Sequence, residues 1–280
     1  MARRLSAGEP FHLATLLRGA SLTPYERELA GHLALPLARQ QELLVEALLA
    51  GGAAPEAARA VVAVPRHLLV REELRARAYL DEFHEAKSGS GLTPQSLVVA
   101  MLECLRVEAG MRVLELGVGS GFHALAALEL GATQVVGVEV DGEVLDAARH
   151  RLASLPASER LLLRHGADAT AAGAAGPFDR VYATFAYRAG VSSLLPHLVE
   201  GGLVQVPRPV LPPEFAREPL LEREREQYGS YESFFEKWQS NLCLTTYRRE
   251  GLRLRVVDKM FGVQFVAQRD ELVPSSADAE

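Results

Sequence analysis

A chain of 280 residues that is 48% hydrophobic and 24% charged can bury a full core, which excludes a disordered chain. Its net charge of −6 and pI near 5.8 exclude the basic footprint of a nucleic-acid binder. Two widely spaced cysteines, Cys104 and Cys243, exclude a disulfide framework and read as buried thiols of a reducing compartment. The basic start, Met1 to Arg4, has no apolar core or cleavage site behind it, and no stretch approaches the length of a membrane span. A cytoplasmic protein without membrane contact is expected.

Residues 1–37 read as a helical N-terminal extension, one or two helices packed on the main domain, with Thr23 and Pro24 opening a helix over Tyr25 to Leu35. The main domain is expected to span 38–280. Ala38 to Ala50 has strong helical spacing, stopped by Gly51 and Gly52, and Pro55 opens a further helix to about Val64. From Asp81 to Gln95 the chain is polar and rich in Gly and Ser, in the manner of loops that carry substrate contacts. It equally reads as a capping segment for a helix over Gln95 to Leu105, with Thr93 as N-cap and Pro94 at the first helical position. His67 and His84 read as surface histidines, because no matching ligand set surrounds them; no metal is expected.

The run Val113 to Gly121 then compresses a strand, a tight loop and a helix start into nine residues. Glycine admits positive φ and close approach of a ligand, and the helix behind Gly121 directs unpaired N–H groups at it. Gly117, Gly119 and Gly121 form G-x-G-x-G behind Glu115, shorter than the dinucleotide fingerprint. That suits a zwitterion, with Glu115 taking an amino group and loop amides a carboxyl group. S-adenosylmethionine has such an end. After a helix over His123 to Leu130, Val135 to Val140 is a second strand ending in Glu139, placed to bond a ribose diol. A plain βαβ unit with a surface acid would show the same pattern.

Further on, Gly142 to Leu155 reads as a helix and Leu161 to Arg164 as a third strand, with Asp168 behind it, placed to accept from an adenine amino group. Gly173 to Pro177 reads as a loop, Phe178 to Thr184 as a strand, Val191 to Leu198 as a helix stopped by Gly201 and Gly202, and Leu203 to Val206 as a strand. This alternation predicts an α/β fold with a mostly parallel, doubly wound sheet covered on both faces. Residues 209–241 are charged until an apolar face at Phe234, Phe235 and Trp238. Leu242 to Arg249 and Gly262 to Gln268 read as two closing strands, and Pro274 to Glu280 as a frayed end.

Taken together, the stretches Val64 to His67, Ala78 to Asp81, Leu92–Thr93, Val113 to Gly121, Pro177 to Val181, Leu195 to Val206 and Gly262 to Val266 resemble the protein-L-isoaspartate O-methyltransferase family. The similarity spans about 38–268. It implies a Rossmann-like class I methyltransferase that uses S-adenosyl-L-methionine to methylate an aspartyl or isoaspartyl-type carboxylate in a peptide or protein. Thr93 falls at the family's serine and would hydrogen-bond the acceptor carboxylate, with Lys87 either contributing or simply solvated. Glu115, Gly117, Gly119, Gly121, Glu139 and Asp168 fall on the cofactor side. The departures lie where substrate would sit. His84 to Thr93 replaces a Leu-Pro-Ile-Gly and Gln-Thr-Ile-Ser run, Gly166-Ala167-Asp168 replaces Gly-Asp-Gly, and 209–241 is an insertion. They keep open a methyltransferase for a peptide natural product or small-molecule acid, and a binding module that keeps the fold without turnover. Glu82, Glu85 and Lys87 at the mouth suggest an acceptor narrower than the broad set a repair enzyme meets. Oligomeric state leaves no mark on the sequence.

Overall fold

The computed structural model describes residues 24–86, 90–155, 159–209, 242–263 and 265–267. Three helices come first: α1 (Pro24–Leu33), α2 (Leu37–Ala50) and α3 (Pro55–Ala63). The N-terminal proline of α3 lacks only an amide that no helix could bond, and its face of Ala57, Ala58, Val61 and Val62 is buried. A single turn, α4 (Arg66–Leu69), and a 3-10 segment (Glu72–Arg77) lead to a small hairpin, β1 (His84–Glu85) and β2 (Gly91–Leu92), and to α5 (Gln95–Leu105). Pro94, not Thr93, is the N-cap of α5, and no side chain caps it.

The central sheet has β3 (Arg112–Leu116), β4 (Gln134–Glu139), β5 (Leu161–His165), β6 (Phe178–Ala183), β8 (Leu198–Pro209), β9 (Leu242–Glu250) and β10 (Arg253–Val263), in the order β10-β9-β8-β6-β3-β4-β5. The pairs from β5 to β8 are parallel, and β8-β9 and β9-β10 are antiparallel. Two short strands, β7 (Phe185–Ala186) and β11 (Val266–Ala267), pair in parallel beside it. The crossovers carry α6 (Phe122–Glu129) and α7 (Gly142–Leu152). Side-chain alternation along buried strands feeds two cores. Val113, Val135 and Tyr182 face the helices α2, α3, α5 and α6, while Leu114, Val136 and Val181 face the other side. Chain order reverses at β3, whose neighbours are β4 and β6, so the crevice for a ligand opens at the carboxyl end of β3.

Four expectations need correction. The helix foreseen over Val191 to Leu198 is a 3-10 segment, Val191–His197, because Pro196 within it removes an amide. Gly201 and Gly202 do not stop a helix; they lie inside β8, which begins at Leu198. The stretch Gly173 to Pro177 is partly a 3-10 segment, Ala169–Ala175. The last hairpin strand occupies Arg253–Val263, where a connection is expected from sequence, and leaves only Val266–Ala267 of the foreseen Gly262 to Gln268. Its outward residues on a sheet edge erase the alternation a sequence reading looks for, with Val256 and Val257 both exposed. The insertion leaves β8 at Pro209 and returns at Leu242, and these two residues are register partners. Residues 1–23, Lys87 and the aromatic set Phe234, Phe235 and Trp238 lie outside the described residues, as does the end from 268. No helix among the described residues is long and apolar enough to cross a membrane.

Leu114 has no exposed surface and sits mid-sheet between Val136 and Val181. Leu114→Ala should lower unfolding free energy by about 2–5 kcal/mol, read as an earlier urea midpoint with an unchanged slope.

Candidate active site

The loop Gly117–Gly121 is fastened at the strand it leaves and at its neighbour. The Gly117 and Val118 amides both donate to the Val138 carbonyl, at 2.8 and 3.0 Å, and the Gly119 amide donates to Glu139 Oε2 at 2.9 Å. Gly117 has φ +80°, and a Cβ there would lie 2.7 Å from Thr184 Oγ1 and 2.8 Å from the Phe185 ring. Only glycine meets both demands. Gly121, at φ +82°, is the N-cap of α6, so the first amides of that helix open toward the crevice. A hydroxyl from the hairpin side completes the arrangement: Ser90 Oγ lies 3.3 Å from where a Cβ of Gly119 would be.

The two acids are handled differently. Glu139, 8% exposed at the end of β4, accepts from the Gly119, Val140 and Asp141 amides at 2.9, 3.0 and 3.2 Å. Burial pushes its carboxyl up, and those three amides oppose the shift. Glu115 has no exposed surface at all. Strand alternation turns it toward α6, where it accepts from Tyr182 Oη at 3.0 Å, with His123 Nδ1 3.8 Å away. Burial holds its carboxyl well above the usual range, with Tyr182 and the Ala124 amide opposing and the Glu139 charge adding. Burial also drives His123 down to about 3, so its ring is neutral and supplies no counter-charge. Among the described residues Glu115 Oε1 is buried without a hydrogen-bond partner.

Asp168 caps the 3-10 segment behind β5. Its Oδ1 accepts from the Thr170 amide at 2.8 Å and from Thr170 Oγ1 at 2.5 Å. Asp168 is exposed, behind the carboxyl end of β5. Among the described residues no group of three or more His, Cys, Asp or Glu could hold a metal ion.

The acceptor side is organised by Arg66. Its guanidinium, fully buried, donates to the carbonyls of Thr93 at 2.7 Å, Glu82 at 3.0 Å and Leu92 at 3.3 Å. The same group lies 4.6 Å from the centre of the Phe122 ring, the first residue of α6. One cation thus ties both ends of the hairpin to the helix that opens at Gly121. His84 is buried, contrary to the surface expectation, because the hairpin turns it inward and its Nε2 pairs with the Arg77 carbonyl at 2.8 Å. His67 is half-buried against Tyr79 Oη at 2.8 Å. Thr93 stands between Leu92 and the α5 cap, half-buried, and its carbonyl is held by Arg66. The charges of the mouth are already paired. Arg77 meets Glu82 at 2.7 Å, Arg71 meets Glu85 at 2.6 Å, and Asp81 accepts from the Ser96 amide at 2.9 Å.

Residues 38–227 match the family model Protein-L-isoaspartate(D-aspartate) O-methyltransferase, well over half of the chain. The chain belongs to the protein-L-isoaspartate O-methyltransferase family. The protein-L-isoaspartate O-methyltransferase of Halorhodospira halophila is 37% identical over 189 residues, covering 65% of this chain and 82% of that one. That of Ignicoccus hospitalis is 34% identical over 154 residues, covering 54% and 72%. Among solved structures, a protein-L-isoaspartate O-methyltransferase superposes with a TM-score of 0.66 at 20% identity, covering 83% of this chain and 67% of that one. A Plasmodium falciparum protein described under the same family name, crystallised with S-adenosyl-L-homocysteine, gives 0.60 at 16%, covering 82% and 98%. At such identities these two speak to the fold, which is that of a Rossmann-like class I methyltransferase.

Within this family frame, sequence reasoning overlooked Tyr182, Thr184, Phe185 and His123. Tyr182 is the register partner of Glu115, so a buried tyrosine opposite a buried acid becomes a usable signal once strand pairing is known. Thr184 Oγ1 donates to the Leu116 carbonyl at 3.2 Å, a contact between strand ends that no local pattern announces.

Two outcomes test this site. Arg66→Met would leave three inward carbonyls without their donor and should cost about 3 kcal/mol or more of unfolding free energy, measured by urea titration. His84, held down to about 4 by burial against 6.5 for an ordinary histidine, stays neutral in the fold. The unfolded chain binds that proton first, so stability should fall as pH drops from about 6.5 to about 4. His84→Gln should lose visibly less across that window in a melting series.

Proposed function

We propose that this protein transfers a methyl group from S-adenosyl-L-methionine to an aspartyl or isoaspartyl-type carboxylate of a peptide or protein. The observation that carries the reading is the glycine loop at the switch point of the sheet, with Glu139 at the neighbouring strand end and the Thr93 hairpin seated against it through Ser90. The loop fits such a cofactor: Gly117 takes a positive φ where a Cβ would collide with Thr184 or Phe185, and the helix behind it begins at Gly121. Glu139 would hold the ribose hydroxyls through the lone pairs its three amide contacts leave free. Asp168, exposed at the next strand end, is assigned to the adenine side. Glu115, whose buried Oε1 has no hydrogen-bond partner among the described residues, is assigned to the amino group of the cofactor's methionine end.

The bound cofactor supplies an electrophilic methyl on a sulfonium. The acceptor carboxylate is already ionised at neutral pH, so the protein needs no general base. What it must supply is alignment and exclusion of water. Thr93 is assigned the alignment, its hydroxyl donating to one carboxylate oxygen while the other attacks. Its backbone is fixed by Arg66, which leaves little freedom for that hydroxyl to wander. Neutral, buried His123 and His84 take no part in proton transfer on this reading.

Titration calorimetry with S-adenosylhomocysteine should show binding to the native protein. Glu139→Ala should weaken it by about 1.5–3 kcal/mol, the scale of a hydrogen bond to a charged group. No binding by the native protein would end the reading. A second measurement addresses Thr93. Thr93→Val should depress methyl-ester formation on an isoaspartyl peptide far more than cofactor affinity, and Thr93→Ser should restore much of it. Normal turnover by Thr93→Val would remove the assigned role.

A further inference from the structure

The hairpin β1–β2 pairs His84 with Leu92 and Glu85 with Gly91. Alternation sends His84 and Leu92 inward, both buried, and leaves Phe83, Glu85 and Gly91 on the outer face. Continuing that register brings Phe83 abreast of Thr93, and the Arg66 guanidinium spans the two strands there through the carbonyls of Glu82 and Thr93. Phe83 is 59% exposed. It is nonetheless held in place: its ring covers Gly91, where a Cβ would fall 2.3 and 2.6 Å from Cε2 and Cζ. A side chain at residue 91 would push the ring away.

A single exposed aromatic is ordinary on a surface. Its setting here is not. The neighbouring residue, Ser90, has its Oγ 3.3 Å from where a Cβ of Gly119 would lie, so the hairpin lies beside the glycine loop. The three nearby acids are all engaged: Asp81 with the Ser96 amide, Glu82 with Arg77 and Glu85 with Arg71. Two of the three thus already have a cationic neighbour. What the outer face offers beside Thr93 is the apolar ring of Phe83.

Building on the carboxyl-transfer reading, we propose that Phe83 is a specificity-determining residue, whose ring seats an apolar side chain of the acceptor peptide next to the carboxylate that Thr93 orients. The preferred acceptors are then peptides with a leucine or a similar apolar residue flanking the modified aspartyl.

The test uses the full-length protein and isoaspartyl peptides that differ only in the residue following the acceptor, leucine or serine, with methyl-ester formation as the readout. The native protein should favour the leucine peptide by about tenfold in kcat/KM, the scale on which a hydrophobic site tells one apolar group from its absence. Phe83→Ala should bring that ratio close to one, with the loss carried by KM on the leucine peptide, and Phe83→Leu should keep part of the preference. Retained affinity for S-adenosylhomocysteine shows that each variant is folded. A native protein that methylates both peptides equally, or a Phe83→Ala variant that keeps the preference, overturns the inference and leaves the carboxyl-transfer reading intact. A native protein that binds S-adenosylhomocysteine and methylates neither peptide overturns both.

Discussion

A buried guanidinium without a carboxylate partner in hydrogen-bond contact holds this molecule's two working halves together. Arg66 spends its donors on three main-chain carbonyls and lays its plane over Phe122. Burial lowers its pKa to about 9, with Asp81, Tyr79 and Glu82 opposing the shift, so it stays charged at neutral pH. A lysine could not reproduce the arrangement, because a point charge cannot fork across carbonyls of two strands and also stack on a ring. The hairpin is only two residues long on each side and could not hold its shape unaided. Its position relative to the glycine loop therefore depends on the contacts Arg66 makes with the hairpin and with Phe122.

The two carboxylates around the loop show how burial sorts like groups into different tasks. Glu139 meets three amides and keeps a rim of exposure, which suits a group that must still bond a ligand. Glu115, one strand over and facing α6, meets a tyrosine hydroxyl and a helix amide and no cation. Its ionised form is poorly supported by the protein alone, and its Oε1 has no hydrogen-bond partner among the described residues. Both side chains alternate toward the same sheet face, and they differ because Glu139 lies two positions beyond the register partner of Glu115, at the carboxyl end of its strand.

The glycine loop, the strand ahead of it and Glu139 were legible in sequence because each is a short-range pattern: apolar run, acid, glycine spacing, helix. The parallel strands from β3 to β6 were legible for the same reason. What stayed hidden depends on partners far away in the chain. His84 looked like a surface histidine until the hairpin register turned it inward, and the Tyr182 partner of Glu115 appears only once the two strands are paired. The charges of the mouth read as open to a substrate, yet Arg71 and Arg77, some residues upstream, already pair with Glu85 and Glu82. β10 was missed because an edge strand exposed on both faces has no hydrophobic period to read.

The insertion follows from the same separation of parts. β8 and β9 pair over seven successive positions, from Leu203 with Arg248 to Pro209 with Leu242. Chain added between Pro209 and Leu242 enters and leaves at adjacent points of a ladder that is already closed. The entropic cost of such an addition grows only with the logarithm of its length. Because β8 runs parallel to β6 and β3, its far end lies at the carboxyl edge of the sheet, the edge where the glycine loop opens. The fold can therefore vary its acceptor side at that edge without disturbing β3, β4 or the loop between them.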